Sequence, residues 1–432
     1  MLFENITVLY EDGRAEEGRY VGIAGDRIAY VGATAPAEDF GEVYAGSGRL
    51  LMPAFYNAHA HSPMTLLRGY GENLKLQDWL TTRIFPFEDK LTGEAVYFGT
   101  LLAVAESLRF GIVSTTDMYY FCEDMLRAFA ESGAKVNISR GITCFTDEDL
   151  TDLTGFREAK RLVEAYDGTA DGRVKAELSL HAEYTSNPKI AAQLAEYANA
   201  TGAGMHVHIS ETKAEHEACM ARHGGKTPVA YLASLGFFET RTTAAHCVHV
   251  TEADMDILAQ KGVTVASCPV SNMKLSSGVC DVPRLLEKGV NVAIGTDGAA
   301  SNNSLNFIEE MKFFALANKL MRGDPTLVSP ACALTAATAS GARSQGRPDC
   351  GAIRVGAKAD LIVLDLSVPN MHPVHALANN VVYAASGGDL CLTMADGRVL
   401  YRDGCYKTID IERTLFEADR ATERILGALN PA

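Results

Sequence analysis

VKAELSLHAEYTSNPKIAAQLAEYANATGAGMHVHISET, residues 174–212, is the stretch that decides the fold. Two short apolar runs, VKAELSLHAEY and GMHVHISE, flank a segment with helical spacing, PKIAAQLAEYANATG. Pro188 opens that segment, where a missing N–H costs nothing, and Gly202 closes it, where the backbone turns left-handed. A strand, a helix and a second strand in that order make a parallel unit, because parallel strands need a long crossover.

The same texture repeats outward in both directions, over residues 55–342. LLMPAFYNAH, IVSTTDM, KVNISRGIT, TTAAHCV, VTVASCP and NVAIGTD bring the apolar runs to eight, most followed by a helical pattern such as EADMDILAQKG. Eight buried strands alternating with helices predict a (β/α)8 barrel, with a doubly wound open sheet as the competing fold. The two ends of the chain read differently. ITVLY, RYVGIAG and RIAYVGA near the start, and ADLIVLDL and LCLTMADGRVLYRDG near the end, are strands broken by D-G-R or G-D-R turns. With no Pro/Ser linker in view, these pieces are expected to pair into one small β domain. The expected organisation is a discontinuous β-sandwich over 1–54 and 346–410, a barrel over 55–345, and a C-terminal helix over 411–432.

The chain has 432 residues and a formal net charge of -15. That length fits one large domain or two. The acid surplus argues against a nucleic-acid partner, since little here would neutralise phosphates. No run reaches the roughly 18 apolar residues of a membrane span. The start, MLFENITVLYEDG, has no basic or long apolar segment of the secretory kind. Ten cysteines without a C-x-x-C read as reduced thiols, and the expected address is the cytoplasm.

Active-site groups of a barrel gather where its strands end, which supplies a filter. His59 and His61 end the first strand; two residues apart, they share a side and can reach one ion. His206, His208 and Glu211 end the fifth. His208 lies nearer the strand end, and His206 reads as a core histidine. His246 ends the sixth, and His249 opens the loop beyond it. Asp297 ends the eighth, where an N-cap for the next helix is the ordinary alternative. His181 ends the fourth, where a packed ring is the ordinary alternative. Together, three neutral imidazoles and a carboxylate suit one divalent ion with a position open to water.

NAHAHSPMTLLRGYGENLKLQDWL, FPFEDKLT, HVHISET, AAHCVHV, SNMKLSSGV and GTDGAASNNSLN carry a resemblance over nearly the whole chain. The sequence resembles the amidohydrolase superfamily, and within it the 5'-methylthioadenosine/S-adenosylhomocysteine deaminases. The resemblance implies a distorted TIM-like (β/α)8 barrel with a small β-sandwich from both termini. It implies one metal ion held by His59, His61, His208 and Asp297, zinc first, with iron(II) or manganese(II) as alternatives. It implies Glu211 and His246, with Asp297, as the catalytic groups, and Glu88 as the carboxylate for the ribose hydroxyls. His181, Arg140, Trp79 and Glu211 are the further substrate contacts it implies. Trp79 also reads as a core or lid aromatic.

The activity so implied is hydrolytic deamination of adenosine, 5'-deoxyadenosine, 5'-methylthioadenosine or S-adenosylhomocysteine, with a small-molecule nucleoside as partner and a homo-oligomer left open. The pattern departs from the family twice. Ser267 stands in ASCPVSN where a histidine is common, and the second arginine of members that bind homocysteine falls near Gly155, with Arg157 close by. A lone Arg140 is expected to favour neutral 5' groups over S-adenosylhomocysteine. The rival readings are a hydrolase of a free base or triazine, for which a ribose carboxylate has no use, and a non-catalytic scaffold of the same fold, which would have lost ligands.

Overall fold

The chain builds two sheets and crosses between them at Ala54. β1 (Leu2–Leu9), β2 (Ala15–Ala24), β3 (Arg27–Gly32), β4 (Val43–Ala45) and β5 (Arg49–Pro53) enter the first sheet. β6 (Phe55–Ala60), β7 (Ile112–Tyr119), β8 (Lys135–Ile142), β9 (Val174–Ala182), β10 (Met205–Ile209), β11 (Thr242–His246), β12 (Thr264–Ser267) and β13 (Asn291–Ile294) form the second. β14 (Leu361–Asp365), β15 (Leu390–Ala395), β16 (Arg398–Arg402) and β17 (Cys405–Tyr406) return to the first. This computed structural model describes residues 1–429, so the last three residues of the expected C-terminal helix lie outside it; the helix runs Ile411–Leu429.

The second sheet is parallel throughout and pairs in chain order from β6 to β13. Asp297 bridges to Ala60, and its N–H donates to the His59 carbonyl at 3.0 Å, which brings the two edges together. Gly295 makes that approach possible: a Cβ there would lie 2.9 Å from the His59 Cβ. The decisive unit behaves as its pattern requires. The helix Pro188–Thr201 starts on Asn187, whose side chain accepts from the Ile190 N–H at 3.0 Å, and stops at Gly202 with φ 72°. It buries Ile190, Ala191, Leu194, Ala195 and Ala198, one stripe at helical spacing.

The run LLMPAFYNAH, continuous in apolar character, is divided between the sheets. Arg49–Pro53 pairs with β1 and β14, while Phe55–Ala60 opens the barrel. Both halves are buried, so hydropathy carries no mark of the break. The first sheet has nine strands, eight in one hydrogen-bonded path with β4 branching off β1, and its own apolar core, including Phe3, Ile6, Val21, Leu51, Leu361 and Leu392.

The sheet meets the barrel through a buried ion cluster. Lys135 on β8 is 2 % exposed and pairs with Asp360, and its Nζ lies 2.8 Å from Asp396 Oδ1. Tyr56 also donates to Asp360. Removing this cation leaves the buried Asp360 without one and Asp396 with only Lys358 at 3.6 Å, so Lys135→Met is expected to destabilise the protein by about 3–5 kcal/mol. A urea titration by circular dichroism checks this; a midpoint within error of the parent would show that the cluster holds nothing together. Among the described residues no helix is long and apolar enough to cross a membrane.

Candidate active site

The strand ends carry the chemistry, and their backbones are strained. His246, Asp297 and Ser210 are left-handed non-glycine residues, at φ 71°, 60° and 48°. Such conformations cost roughly 1–3 kcal/mol each and persist where the surroundings fix them, commonly at active sites. Of the three, His246 and Asp297 line the chamber at the barrel mouth, and Ser210 precedes Glu211, which lines it too.

His61 Nδ1–H donates to the Met118 carbonyl at 2.6 Å, and His208 Nδ1–H to the His181 carbonyl at 2.6 Å. A carbonyl only accepts, so both rings keep the lone pair on Nε2. Those two Nε2 atoms lie 3.3 Å apart. His59 Nε2 is buried without a hydrogen-bond partner and lies 3.5 Å from Asp297 Oδ1. His61 Nε2 lies 3.4 Å from the same oxygen. Asp297 Oδ2 accepts from Ser271 at 2.6 Å and from Ser301 at 2.9 Å, so Oδ1 is the oxygen left to the imidazoles.

Three ring lone pairs and a carboxylate oxygen aimed at one another repel unless a cation lies among them. The donor set fits a divalent ion with nitrogen and oxygen ligands. His59, His61 and His208 fall within one such cluster, and His59, His246 and Asp297 within a second that shares His59. Burial holds the His59 and His208 rings neutral by lowering both well below the ordinary range, as ligation requires. Burial pushes the Asp297 carboxyl up, but the imidazoles of His59, His246 and His61 beside it outweigh burial and hold it well below the usual range.

Beside the centre, Glu211 Oε2 lies 3.8 Å from His246 Nε2, and Ser277 donates to Glu211 Oε1 at 3.2 Å. Burial first, and the Asp297 carboxylate second, raise the Glu211 carboxyl to about 8. His246 Nδ1 lies 3.1 Å from the Asn272 amide nitrogen. A chamber opens over these groups. Its walls include His61, Trp79, Glu88, Tyr119, His181, His208, Glu211, His246 and Asp297. Trp79 and Glu88 come from one helical segment, Leu76–Trp79 and Phe85–Glu88, joined by a wider π turn at Leu80–Ile84. Single π turns of this kind recur at functional sites. Burial raises the Glu88 carboxyl to about 7, with the Tyr119 hydroxyl beside it working the other way. His181, its Nδ1 3.1 Å from Thr185 Oγ1, is lowered to about 4, first by burial and then by His61 and His246.

Arg140 does not line this chamber. It lines a second, outer one that shares Phe85, Glu88, Tyr120 and His181 with the first. Gly155 lies against the Arg140 guanidinium, a Cβ there falling 3.6 Å from Nη2, while Arg157 is tied to the carbonyls of Thr151 and Asp152 at the start of its helix. Ser267 is buried at the end of β12 and touches neither chamber.

Sequence reasoning missed the groups that aim the others. His206, expected in the core, is buried there, and its Nε2 also lies 2.9 Å from His59 Nδ1. Glu215 accepts from the N–H groups of Ser210 and Glu211 at 2.8 Å each, which fixes the backbone that carries Glu211. The T-x-x-E capping pattern of Thr212 and Glu215 is the signal that could have found it. Nothing local marks Ser271, Ser301 or Asn272.

Comparison with known proteins agrees with this geometry. The amidohydrolase family pattern matches residues 50–400. The 5-methylthioadenosine/S-adenosylhomocysteine deaminase of Caldanaerobacter subterraneus is 39% identical over 428 residues, covering 99% of this chain and 98% of its own. The 5'-deoxyadenosine deaminase of Methanosarcina mazei is 38% identical over 424 residues, covering 98% and 94%. The solved structure of an adenosine deaminase from Xanthomonas campestris with bound zinc superposes with a TM-score of 0.92 at 31% identity, covering 98% of each chain.

Proposed function

The chain belongs to the amidohydrolase family, and from that premise we propose that it hydrolytically deaminates adenosine-type nucleosides, converting the 6-amino purine and water to the inosine analogue and ammonia. One observation carries the reading. A single chamber joins His61, His208 and Asp297, which cluster with the buried His59, to two separate carboxyls, the buried Glu211 and the partly buried Glu88. One carboxyl can serve the ring and the other the sugar.

In this proposal His59, His61, His208 and Asp297 hold one zinc ion, the metal seen with the adenosine deaminase similar to this chain. A divalent ion there supplies Lewis acidity, which brings the pKa of water toward about 7. The residues do the rest. Leu76, Trp79, Leu80 and Met118 supply apolar wall for the purine. Glu88 accepts from the ribose hydroxyls. His246 and Asp297 orient the attacking water over C6 and take its proton. Glu211, its carboxyl raised by burial, gives a proton to ring N1, so charge does not build on the purine as the C6–O bond forms. Ammonia then leaves C6 with the proton that His246 and Asp297 took from the water, and the new hydroxyl returns its proton to Glu211 as the C6 carbonyl forms. His181 presents a neutral ring to the substrate, consistent with its lowered pKa.

The reading is tested by ammonia release from adenosine, 5'-deoxyadenosine, 5'-methylthioadenosine, guanine and cytosine, and by chloride release from a chlorotriazine. Release from the nucleosides alone supports it, and release from a free base or triazine alone sinks it. The role of Glu88 makes a sharper demand. A carboxylate that meets both ribose hydroxyls is left with an unpaired acceptor by 2'-deoxyadenosine, at about 1–3 kcal/mol. The kcat/KM ratio of adenosine to 2'-deoxyadenosine is expected to exceed one clearly and to shrink in Glu88→Ala. Equal rates on both sugars in the parent protein would rule the role out.

A further inference from the structure

The outer chamber bears on the substituent at the 5' carbon, and the inference here rests on the proposed function above. Arg140 is its cation, and that cation is already engaged. Its Nε donates to Glu158 Oε2 at 2.7 Å, its Nη1 donates to the Gly141 carbonyl, and its guanidinium carbon lies 4.5 Å from the centre of the Tyr120 ring. Its Nη2 makes no hydrogen bond among the described residues, and at Gly155 a Cβ would fall 3.6 Å from it.

Glu158 and Asp89 line the same chamber as Arg140, and Asp89 is exposed. A ligand that brings a carboxylate to this rim therefore meets two carboxylates and a guanidinium whose charge one of them already balances. It can reach Nη2, but to take over the ion pair at Nε it must displace Glu158, which sits on the neighbouring helix Thr154–Tyr166 and competes at high effective concentration. An uncharged 5' group has no such competitor. A cationic one is attracted by both acids.

We infer that Glu158 is a specificity-determining residue: by holding Arg140 it makes the outer chamber select uncharged or cationic 5' substituents against anionic ones. The discrimination is of the repulsive kind, built by placing like charge where the wrong ligand would put its own. It also accounts for an arginine that lines the chamber without committing the protein to carboxylate-bearing nucleosides.

The test compares three substrates that differ only at the end of the 5' group: 5'-methylthioadenosine, 5'-(carboxymethylthio)-5'-deoxyadenosine and 5'-(aminoethylthio)-5'-deoxyadenosine. kcat/KM is measured for each with the metal-loaded protein and with Glu158→Gln. In the parent protein the carboxymethylthio substrate is expected to trail the methylthio one by roughly tenfold. In Glu158→Gln the anionic-to-neutral ratio should rise by roughly the same factor, and the cationic-to-neutral ratio should fall. Ratios that ignore Glu158→Gln, or an anionic substrate preferred by the parent, would overturn the assignment of Glu158 while leaving the deaminase reading intact. Failure of all three substrates, with ammonia released from a free base or chloride from a chlorotriazine, would overturn that reading and this inference with it.

Discussion

Asp297→Asn and His59→Ala proteins are expected to fold, to lack bound metal and to release no measurable ammonia. The reasoning starts from the donors. His59 Nε2 is a buried nitrogen with no protein partner, and Asp297 Oδ1 lies 3.5 Å from it and 3.4 Å from His61 Nε2. Removing either donor from a four-ligand set leaves three, and Asp297→Asn also removes the only negative charge proposed as a ligand. Without the ion, the pKa of water returns far above neutral and the nucleophile is lost at neutral pH. Asparagine is the right substitution because residue 297 sits at φ 60°, a conformation asparagine tolerates as aspartate does. Elemental analysis of the purified proteins, with circular dichroism to check the fold, reads out the metal directly. A folded Asp297→Asn protein with a full complement of metal and near-parent turnover would show that the ion is held elsewhere.

Glu211→Gln is expected to keep its metal, to bind nucleoside with KM within a few-fold of the parent, and to lose roughly 10²–10⁴ in kcat. The carboxyl is raised to about 8 by burial and by Asp297, so at neutral pH its protonated form predominates. Glutamine copies the shape of that neutral form and keeps an oxygen for the Ser277 hydroxyl, which now sits 3.2 Å from Oε1. What glutamine lacks is a transferable proton. The separation of kcat from KM is the informative part. A fall in both together would mean that Glu211 chiefly binds, and turnover within a few-fold of the parent would pass the proton donor's role to another group.

Much of this was legible in the sequence because strands have a period of two and barrels put chemistry at strand ends. The pairs His59/His61 and His206/His208 can be placed by counting, and Glu211, His246 and Asp297 follow from the same rule. What period cannot supply is contact between distant segments. Ser271 and Ser301 hold the unused oxygen of Asp297 from two different helices, and Asn272 meets His246 across 26 positions. The Arg140–Glu158 pair joins a strand to the helix after it, and nothing in ISRGIT or FREAK announces it. The division of LLMPAFYNAH between two sheets was hidden for another reason: both halves are fully buried, so a change of sheet leaves the apolar pattern unchanged. The helical stretch from Leu76 to Glu88 that carries Trp79 and Glu88 was likewise read only through resemblance, since its π turn obeys no simple period.

The central claim is that water replaces the amino group at C6 of an adenosine-type nucleoside. Turnover of 5'-methylthioadenosine by the metal-loaded protein in oxygen-18 water, followed by mass spectrometry of the nucleoside and an ammonia assay, tests it most directly. The account predicts one labelled oxygen in the purine of 5'-methylthioinosine and one ammonia per product. Cleavage to a free base, label in the sugar, or no ammonia would contradict it.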